Sequence, residues 1–243
     1  MLQVSKPIYL HRAAQYQVTR LDLDRHNLYA RPVDVDYYTL PHREKETEIL
    51  ATRRSKLVKN FVCRLGELKV TEQVVGYEKK RVSSGERLSV HELELPPTSF
   101  ETVGLWIEID DFVPRAVAGR RLNYMGGIHA VEHAAIALFP LFALCERDDV
   151  GGISTPLHAQ VGKGAVFIYD GYAGGVGLAE ASFSRIGALL ERTLELIAGC
   201  DCECGCPACI YSNKCGNGNV PLDKEAAVTV LKLLLDHPDA RAW

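Results

Sequence analysis

The chain has 243 residues, of which 47% are hydrophobic, and a formal net charge of −3 at pH 7. This length suits one large domain or two small ones, and the composition is that of an ordinary globular protein. No apolar run is long enough to span a bilayer, so no membrane partner is predicted. The slightly negative charge argues against a generally basic nucleic-acid-binding protein but leaves room for a local basic surface.

The first half of the chain predicts a small antiparallel sheet or barrel. Short stretches rich in Val, Ile, Leu and Tyr are separated there by polar turns, a pattern typical of strands. The predicted strands cover residues 8–11, 16–21, 27–33, 61–71 and 73–80, and the last two are expected to form a hairpin. Residues 42–59 mix Glu, Lys and Arg and are interpreted as a solvated connector.

Two features of this half are candidate contacts for single-stranded nucleic acid. Tyr38 follows another tyrosine, so in a strand the two rings point to opposite faces, and an exposed ring there is suited to stacking on a base. Lys79, Lys80 and Arg81 form a basic cluster beside a Ser-Ser-Gly turn, where they are placed to contact phosphate. The alternatives are ordinary sheet tyrosines and a solvated hairpin tip.

The composition changes near Pro96 and Pro97, and helical patterns dominate after Asp111. We therefore predict an α+β fold, with a β-rich subdomain over residues 1–110 and a mainly helical subdomain over residues 111–243, in which seven of the eight cysteines lie.

Residues 128–145 are apolar on nearly every side, which predicts a buried helix with a kink at Pro140. Its first turns contain His129, Glu132 and His133 as an H-x-x-E-H string, the spacing by which inverted zinc peptidases place two His ligands and a Glu base. A zinc hydrolase is therefore one hypothesis, with a third ligand from another Glu or His. The alternative is structural, with these side chains hydrogen-bonded at a helix start or a domain contact.

A predicted buried strand at residues 165–170 leads into a turn containing four glycines and then a helix over 178–198. This order of elements exposes backbone N–H groups suited to a phosphate, although close backbone packing explains the glycines equally well. A G-x-x-x-x-G-K-[ST] loop is missing from the sequence, Gly162-Lys163-Gly164 being the nearest string. We expect the chain to hydrolyse no nucleotide by itself.

Six of the eight cysteines fall between this helix and a last amphipathic helix near residues 222–235, for which Asp223 is a candidate N-cap. Short cysteine pairs on tight turns supply the thiolates of tetrahedral zinc sites. The predicted ligands are the C-x-C pair and the C-x-x-C pair, namely Cys200, Cys202, Cys206 and Cys209. Cys204 and Cys215 are spare cysteines, either of which is able to replace one of the four.

Disulfides and free thiols are the alternatives to zinc. Disulfides belong to oxidising compartments and small secreted chains, whereas no apolar signal segment opens this sequence, so reduced cysteines and a cytoplasmic location are expected. A closed shell of four thiolates leaves no position for water or substrate, which makes the predicted zinc structural. Lys214 is expected to offset part of its negative charge.

The cysteine string, with the stretches at residues 214–219 and 222–224, resembles the MrfA-type zinc-binding (MZB) domain at the C-terminus of DExH-box helicases linked to DNA repair. Similar stretches at residues 33–39, 127–134 and 167–178 extend the resemblance over most of the chain. It implies that the four predicted ligands are the family's four-cysteine motif and that Cys215 occupies a recurrent position. Cys204 departs from the family pattern.

The resemblance also implies a role. The chain is expected to be a non-catalytic accessory module of an ATP-driven DNA helicase, contacting RecA-like motor domains in cis or in trans, and single-stranded DNA. Whether it is a piece of a longer chain or a free-standing protein is left open by its first residues. In such a module, His129, Glu132 and His133 brace a helix or a domain contact. A protein-interaction domain without nucleic-acid contact is the third hypothesis.

Overall fold

The computed structural model describes residues 7–236, and the α+β fold predicted from the sequence is confirmed. The strands are β1 (Ile8–His11), β2 (Ala14–Asp22), β3 (Asn27–Val33), β4 (Tyr37–Val58), β5 (Phe61–Arg81), β6 (Arg87–Glu92), β7 (Thr98–Ile109), β8 (Val150–Thr155) and β9 (Gly164–Asp170). The helices are α1 (Phe112–Gly119), α2 (Tyr124–Leu138), α3 (Leu178–Phe183), α4 (Ile186–Ala198) and α5 (Lys224–Leu234).

The chain divides into two compact units that interleave along the sequence. Within residues 7–236, the first unit combines the residues up to Glu44 with Glu72–Thr98, and the second combines Lys45–Thr71 with the residues from Ser99 onward. Both β4 and β5 continue from one unit into the other. The single boundary that the sequence places at residue 110 falls inside the second unit.

The first unit contains the three-stranded antiparallel sheet β1-β2-β3, so the strands predicted at residues 8–11, 16–21 and 27–33 are confirmed. The last part of β5 pairs with β6 in this unit, where the rings of Tyr77 and His91 stack with centroids 4.8 Å apart.

Two predictions for the first half are wrong. Residues 61–71 and 73–80 are one continuous strand, β5, rather than a hairpin, because the one residue between them, Glu72, is not a Gly, Asn or Pro that favours a turn. Residues 42–59, interpreted as a connector, lie mostly in the long strand β4. This strand ends the order β4-β5-β7-β9-β8, and charged side chains suit an edge strand because they discourage pairing with other chains.

Strands of the second unit alternate their side chains between two apolar clusters. Leu105, Ile107, Val166 and Ile168 belong to the larger cluster, which also contains the helices. The intervening residues of β7 and β9 belong to a smaller cluster that includes Trp106. Since successive side chains of a strand point to opposite faces, both faces of this sheet are covered.

The helices differ from the sequence prediction mainly at their ends. The helix predicted over residues 128–145 ends as α2 at Leu138, and Pro140 lies in a short 3-10 turn that follows. The helix predicted over residues 178–198 is divided into α3 and α4. Asp223 is the predicted N-cap of α5 and accepts the Ala226 N–H at 2.9 Å. No helix in residues 7–236 is long and apolar enough to cross a membrane.

The backbone N–H groups of the glycine-rich turn after β9 already bind an anionic side chain of the same chain. The buried carboxylate of Asp170 accepts four backbone N–H groups at 2.7–3.2 Å, those of Val176, Gly177, Leu178 and Ala179. These are the groups that a phosphate would use at the start of α3. The phosphate-binding interpretation of this turn is therefore wrong. Gly174, Gly175 and Gly177 serve its backbone conformation, since each has a positive φ.

We expect Asp170→Asn to lower the free energy of unfolding by about 2–3 kcal/mol, because the amide loses a charged acceptor and adds a buried donor among N–H groups. Urea denaturation followed by circular dichroism measures this loss. Asp111→Asn is the matched control, since Asp111 is exposed and its side chain makes no capping hydrogen bond. Equal unfolding midpoints for the two variants would contradict this account of the turn.

Candidate metal centre

Four cysteine sulfurs converge in the loop between α4 and α5. The Sγ–Sγ distances are 3.5 Å for Cys200–Cys202, 3.6 Å for Cys200–Cys206, 3.5 Å for Cys202–Cys209 and 3.7 Å for Cys206–Cys209. Tetrahedral zinc with Zn–S bonds of about 2.3 Å places its sulfurs about 3.8 Å apart. None of the eight cysteines forms a disulfide, so the disulfide alternative is wrong. The cluster has the size and donor set of a four-thiolate zinc site.

A tight turn within the loop sets this geometry. The Cys206 carbonyl accepts the N–H groups of Cys209, Ile210 and Tyr211, each at 3.1 Å, and the Cys206 N–H donates to the Cys209 sulfur at 3.3 Å. Gly205 has φ +114°, and a Cβ atom there would lie 2.5 Å from the Ile210 side chain. Only glycine fits this position, which turns the chain into the C-x-x-C pair.

The thiols influence one another's ionisation. Burial raises the pKa of Cys209 to about 12. Desolvation acts in the same direction on Cys202, but hydrogen bonds from Cys209, Cys200 and Cys206 prevail and lower the pKa of Cys202 to about 7. Successive thiolates at this spacing repel one another, so all four ionise together only around a cation. A divalent ion with an affinity for sulfur matches this requirement.

Lys224, not Lys214, is the lysine that contacts the backbone of the clustered cysteines. The Lys224 ammonium lies 2.5 Å from the carbonyl oxygens of both Cys200 and Cys202. Lys214 forms an ion pair with Asp148, so the expectation that it offsets the charge of the cysteine cluster is wrong. Lys224 was missed because it belongs to a helix and is far from the cysteines in sequence.

The two histidines of the H-x-x-E-H string form a second cluster together with Cys215. The ligand atoms of His129, His133 and Cys215 all lie within 4.8 Å of one another, and the Cys215 sulfur is 3.4 Å from His129 Nε2. Burial raises the pKa of the Cys215 thiol, but hydrogen bonds from His129 and His133 outweigh it and bring that pKa to about 5. Sequence reasoning expected a third partner of the histidines to be Glu or His, and the partner is this cysteine.

Glu132, the acidic residue of the H-x-x-E-H string, makes other contacts. Its buried carboxylate accepts a hydrogen bond from Ser154 Oγ at 2.6 Å. Burial raises the pKa of Glu132, while this hydrogen bond and the two nearby imidazoles act in the opposite direction.

The candidate nucleic-acid residues all lie in the first unit. Tyr38 is half-buried on β4, and the Lys79 ammonium lies 4.9 Å from the centre of the neighbouring Tyr37 ring. Lys80 forms an ion pair with Glu78 at 2.7 Å. Arg81 forms ion pairs with two acidic residues, at 2.9 Å to Asp36 and 3.5 Å to Glu86. Local acids thus offset part of the basic cluster, and its contact with phosphate stays a prediction.

Comparison with known proteins identifies the family. A family model described as the MrfA Zn-binding domain (MZB) matches residues 131–210, which include all four clustered cysteines and part of α2. An uncharacterised protein of Methanocaldococcus jannaschii is 41% identical over 111 residues, which are 44% of this chain and 99% of that protein. The chain belongs to the MZB family. The resemblance seen in the sequence and the expectation of zinc as cofactor are confirmed.

Longer relatives of this MZB chain are helicases. The uncharacterised ATP-dependent helicase YprA of Bacillus subtilis is 32% identical over 206 residues, 84% of this chain and 27% of that protein. The ATP-dependent helicase HRQ1 of Saccharomyces cerevisiae is 27% identical over 254 residues, 96% of this chain and 23% of that protein. The MZB chain therefore spans about a quarter of the length of these helicases.

Solved structures agree with the sequence comparisons. A crystal structure of the DUF1998 helicase MrfA bound to DNA matches with a TM-score of 0.60 and 29% identity, over 96% of this chain and 30% of that one. The MZB chain is thus similar, over nearly all its length, to one part of a larger helicase.

Replacing one clustered cysteine is expected to remove the sulfur-bound zinc of the MZB chain. Cys202→Ser should lower the zinc content by about one ion per chain and destabilise the fold by more than about 3 kcal/mol, because structural zinc contributes directly to folding. Elemental analysis after dialysis, with thermal unfolding, measures both effects. Cys204→Ser is the matched control, because Cys204 is exposed and lies outside the four-sulfur cluster. Loss of zinc in Cys204→Ser but not in Cys202→Ser would overturn this ligand set.

Removing the Lys224 ammonium is expected to weaken zinc retention about 10- to 100-fold, the usual effect of losing a group that supports metal ligands. Competition with a chromogenic chelator measures this change in Lys224→Met. Lys214→Met serves as the comparison and should retain zinc like the wild type, since Lys214 pairs with Asp148. Weaker zinc retention in Lys214→Met than in Lys224→Met would instead support Lys214 as the lysine that offsets the charge of the cysteine cluster.

Proposed function

We propose that this chain is a non-catalytic zinc module of an ATP-dependent DExH-box DNA helicase acting in DNA repair. One observation carries the proposal: 96% of the chain matches one part of MrfA, a helicase solved in complex with DNA. The chain spans about a quarter of YprA and HRQ1, which leaves ample length in such helicases for a motor. In this proposal the ATPase belongs to RecA-like motor domains, in cis or in trans, and the module stabilises them and guides single-stranded DNA.

The ligands of the structural zinc in this proposal are Cys200, Cys202, Cys206 and Cys209, supported by sulfur spacings of 3.5–3.7 Å. The ion closes the loop that joins α4 to α5 and so limits how these two helices move relative to each other. A closed thiolate shell has no open position for substrate, so this zinc supports structure rather than chemistry. We also propose a cytoplasmic location, in keeping with eight cysteines that form no disulfide.

A zinc hydrolase that uses His129, Glu132 and His133 is a weaker proposal. A base that activates water must reach a substrate, whereas Glu132 is buried and holds the Ser154 hydroxyl at 2.6 Å. The histidines also hold backbone carbonyl groups of the loop, which supports the bracing role that the family resemblance implies.

For nucleic acid, we propose that Tyr38 and the Lys79–Arg81 cluster form part of a weak single-strand surface on the first unit. The support is a half-buried tyrosine ring and three cationic side chains, none of them fully buried, carried on strands of one unit. Ion pairs to Glu78, Asp36 and Glu86 reduce the net charge of this surface. Binding is therefore expected to be modest and sensitive to salt.

Tyr38→Ala is expected to weaken binding of an oligo-dT single strand about tenfold, since base stacking contributes about 1–3 kcal/mol. Lys79→Gln should reduce the magnitude of the slope of log affinity against log salt concentration by about one, the contribution of one phosphate contact. Fluorescence anisotropy at several salt concentrations measures both.

The matched control for Lys79→Gln is Arg115→Gln, which removes an exposed cation from α1 in the second unit. It should bind like the wild type. An equal loss of single-strand affinity in Arg115→Gln would contradict the proposed surface, because it would mean that only the net charge of the chain affects binding. A wild-type chain that binds neither single-stranded DNA at low salt nor a RecA-like motor would refute the proposed function.

A further inference from the structure

We propose that His129, His133 and Cys215 form a second metal site, built for a divalent transition-metal ion such as zinc and separate from the four-cysteine cluster. The two histidines are consecutive members of one face of α2, four residues apart, and their ring centroids are 4.3 Å apart. Cys215 comes from the loop that follows the four-cysteine cluster. The MZB family model ends at residue 210 and does not include it.

The hydrogen bonds of both histidines fix which nitrogen is available to a metal. His129 Nδ1 lies 2.8 Å from the Pro221 carbonyl oxygen, and His133 Nδ1 lies 2.8 Å from the Ile210 carbonyl oxygen. A carbonyl oxygen only accepts, so each Nδ1 carries the proton and donates it. In a neutral imidazole the other nitrogen, Nε2, then has a free lone pair. Metal-binding histidines are oriented in this same way, by donating the second ring N–H to a carbonyl or carboxylate.

Cys215 is placed to complete the set. Its sulfur lies 3.4 Å from His129 Nε2, and tetrahedral zinc holds a thiolate and an imidazole nitrogen about 3.6 Å apart. The Asn219 N–H donates to the same sulfur at 3.3 Å. In the four-cysteine cluster the Cys206 N–H donates to the Cys209 sulfur at the same distance. A thiolate that accepts a backbone N–H is thus a feature of both clusters.

Without a metal, the Nε2 atoms of both histidines share the single sulfur of Cys215, although both side chains are buried, with exposed fractions of 5% for His129 and 7% for His133. When all three side chains are neutral, one thiol proton serves the Nε2 of only one histidine. A cation accepts electron pairs from both nitrogens and the sulfur at once. Nitrogen and sulfur together favour zinc or a similar borderline ion over magnesium or calcium.

The proposed site differs from the four-cysteine cluster in having one position left over. Three protein ligands leave the fourth position of a tetrahedral ion to water or another small ligand. Cys215 is only half-buried, so solvent is able to reach this side of the site. Glu132 is not among the converging ligand atoms.

The test is X-ray absorption on the full wild-type chain, stripped with a chelator under reducing conditions and reloaded with zinc. We expect about two ions per chain and a spectrum with imidazole as well as sulfur scattering. The same chain loaded with cobalt(II) should show two sets of visible bands that fill at different metal ratios. A wild-type spectrum with sulfur ligands alone would overturn the proposal, whatever the variants do.

Variants then assign the ligands. Cys215→Ser and His133→Asn should each lose about one ion per chain and leave a sulfur-only spectrum. Cys202→Ser should lose the other ion and keep the imidazole signal, which separates failure of one site from failure of the other. Cys204→Ser should keep both ions. Unchanged metal content in folded Cys215→Ser, verified by circular dichroism, would also overturn the proposal.

Discussion

The contact between the start of α2 and the start of α5 is the constraint on which both cysteine-containing clusters depend. A Cβ atom on Gly127 would lie 2.7 Å from the Cβ of Ala226, and one on Gly126 would lie 3.0 Å from the backbone nitrogen of Asp223. Without these side chains, the two helices approach until backbone packs against backbone. The Asp223 carboxylate secures the contact from both sides, since it caps α5 and accepts the Asn123 N–H at 2.8 Å.

This contact brings the loop between α4 and α5 within reach of α2, and the buried polar groups of α2 then hold the loop. His129 binds the loop at Pro221 and His133 binds it at Ile210, while Lys224 reaches back to the carbonyl groups beside the first cysteines. Buried imidazoles are costly unless hydrogen-bonded, so each one specifies a single position of the loop. The sulfur cluster is therefore assembled on a loop whose course is already restricted.

Interactions between residues close in sequence could be predicted from the sequence, whereas interactions between residues far apart in sequence could not. The four-cysteine set is local, so spacing alone predicted that Cys200, Cys202, Cys206 and Cys209 lie close together. The second cluster joins α2 to Cys215, 86 residues from His129, and no pattern in the chain indicates that pairing. The same limit explains β4, whose charged residues suggested a connector. Arg53 is balanced there by Glu67 and Glu180, partners from other elements that a local pattern does not show.

The charges around the two clusters follow from the ligands. Four thiolates around a divalent ion make a net negative centre, and a cation, Lys224, lies against that part of the loop. In the proposed second site, one thiolate and two neutral imidazoles around a divalent ion would make a net positive centre. The acidic side chain of Glu132 lies near that cluster and interacts electrostatically with His129, His133 and Cys215. Each proposed metal centre thus has a nearby side chain able to carry the opposite charge, which offsets part of the charge of that centre.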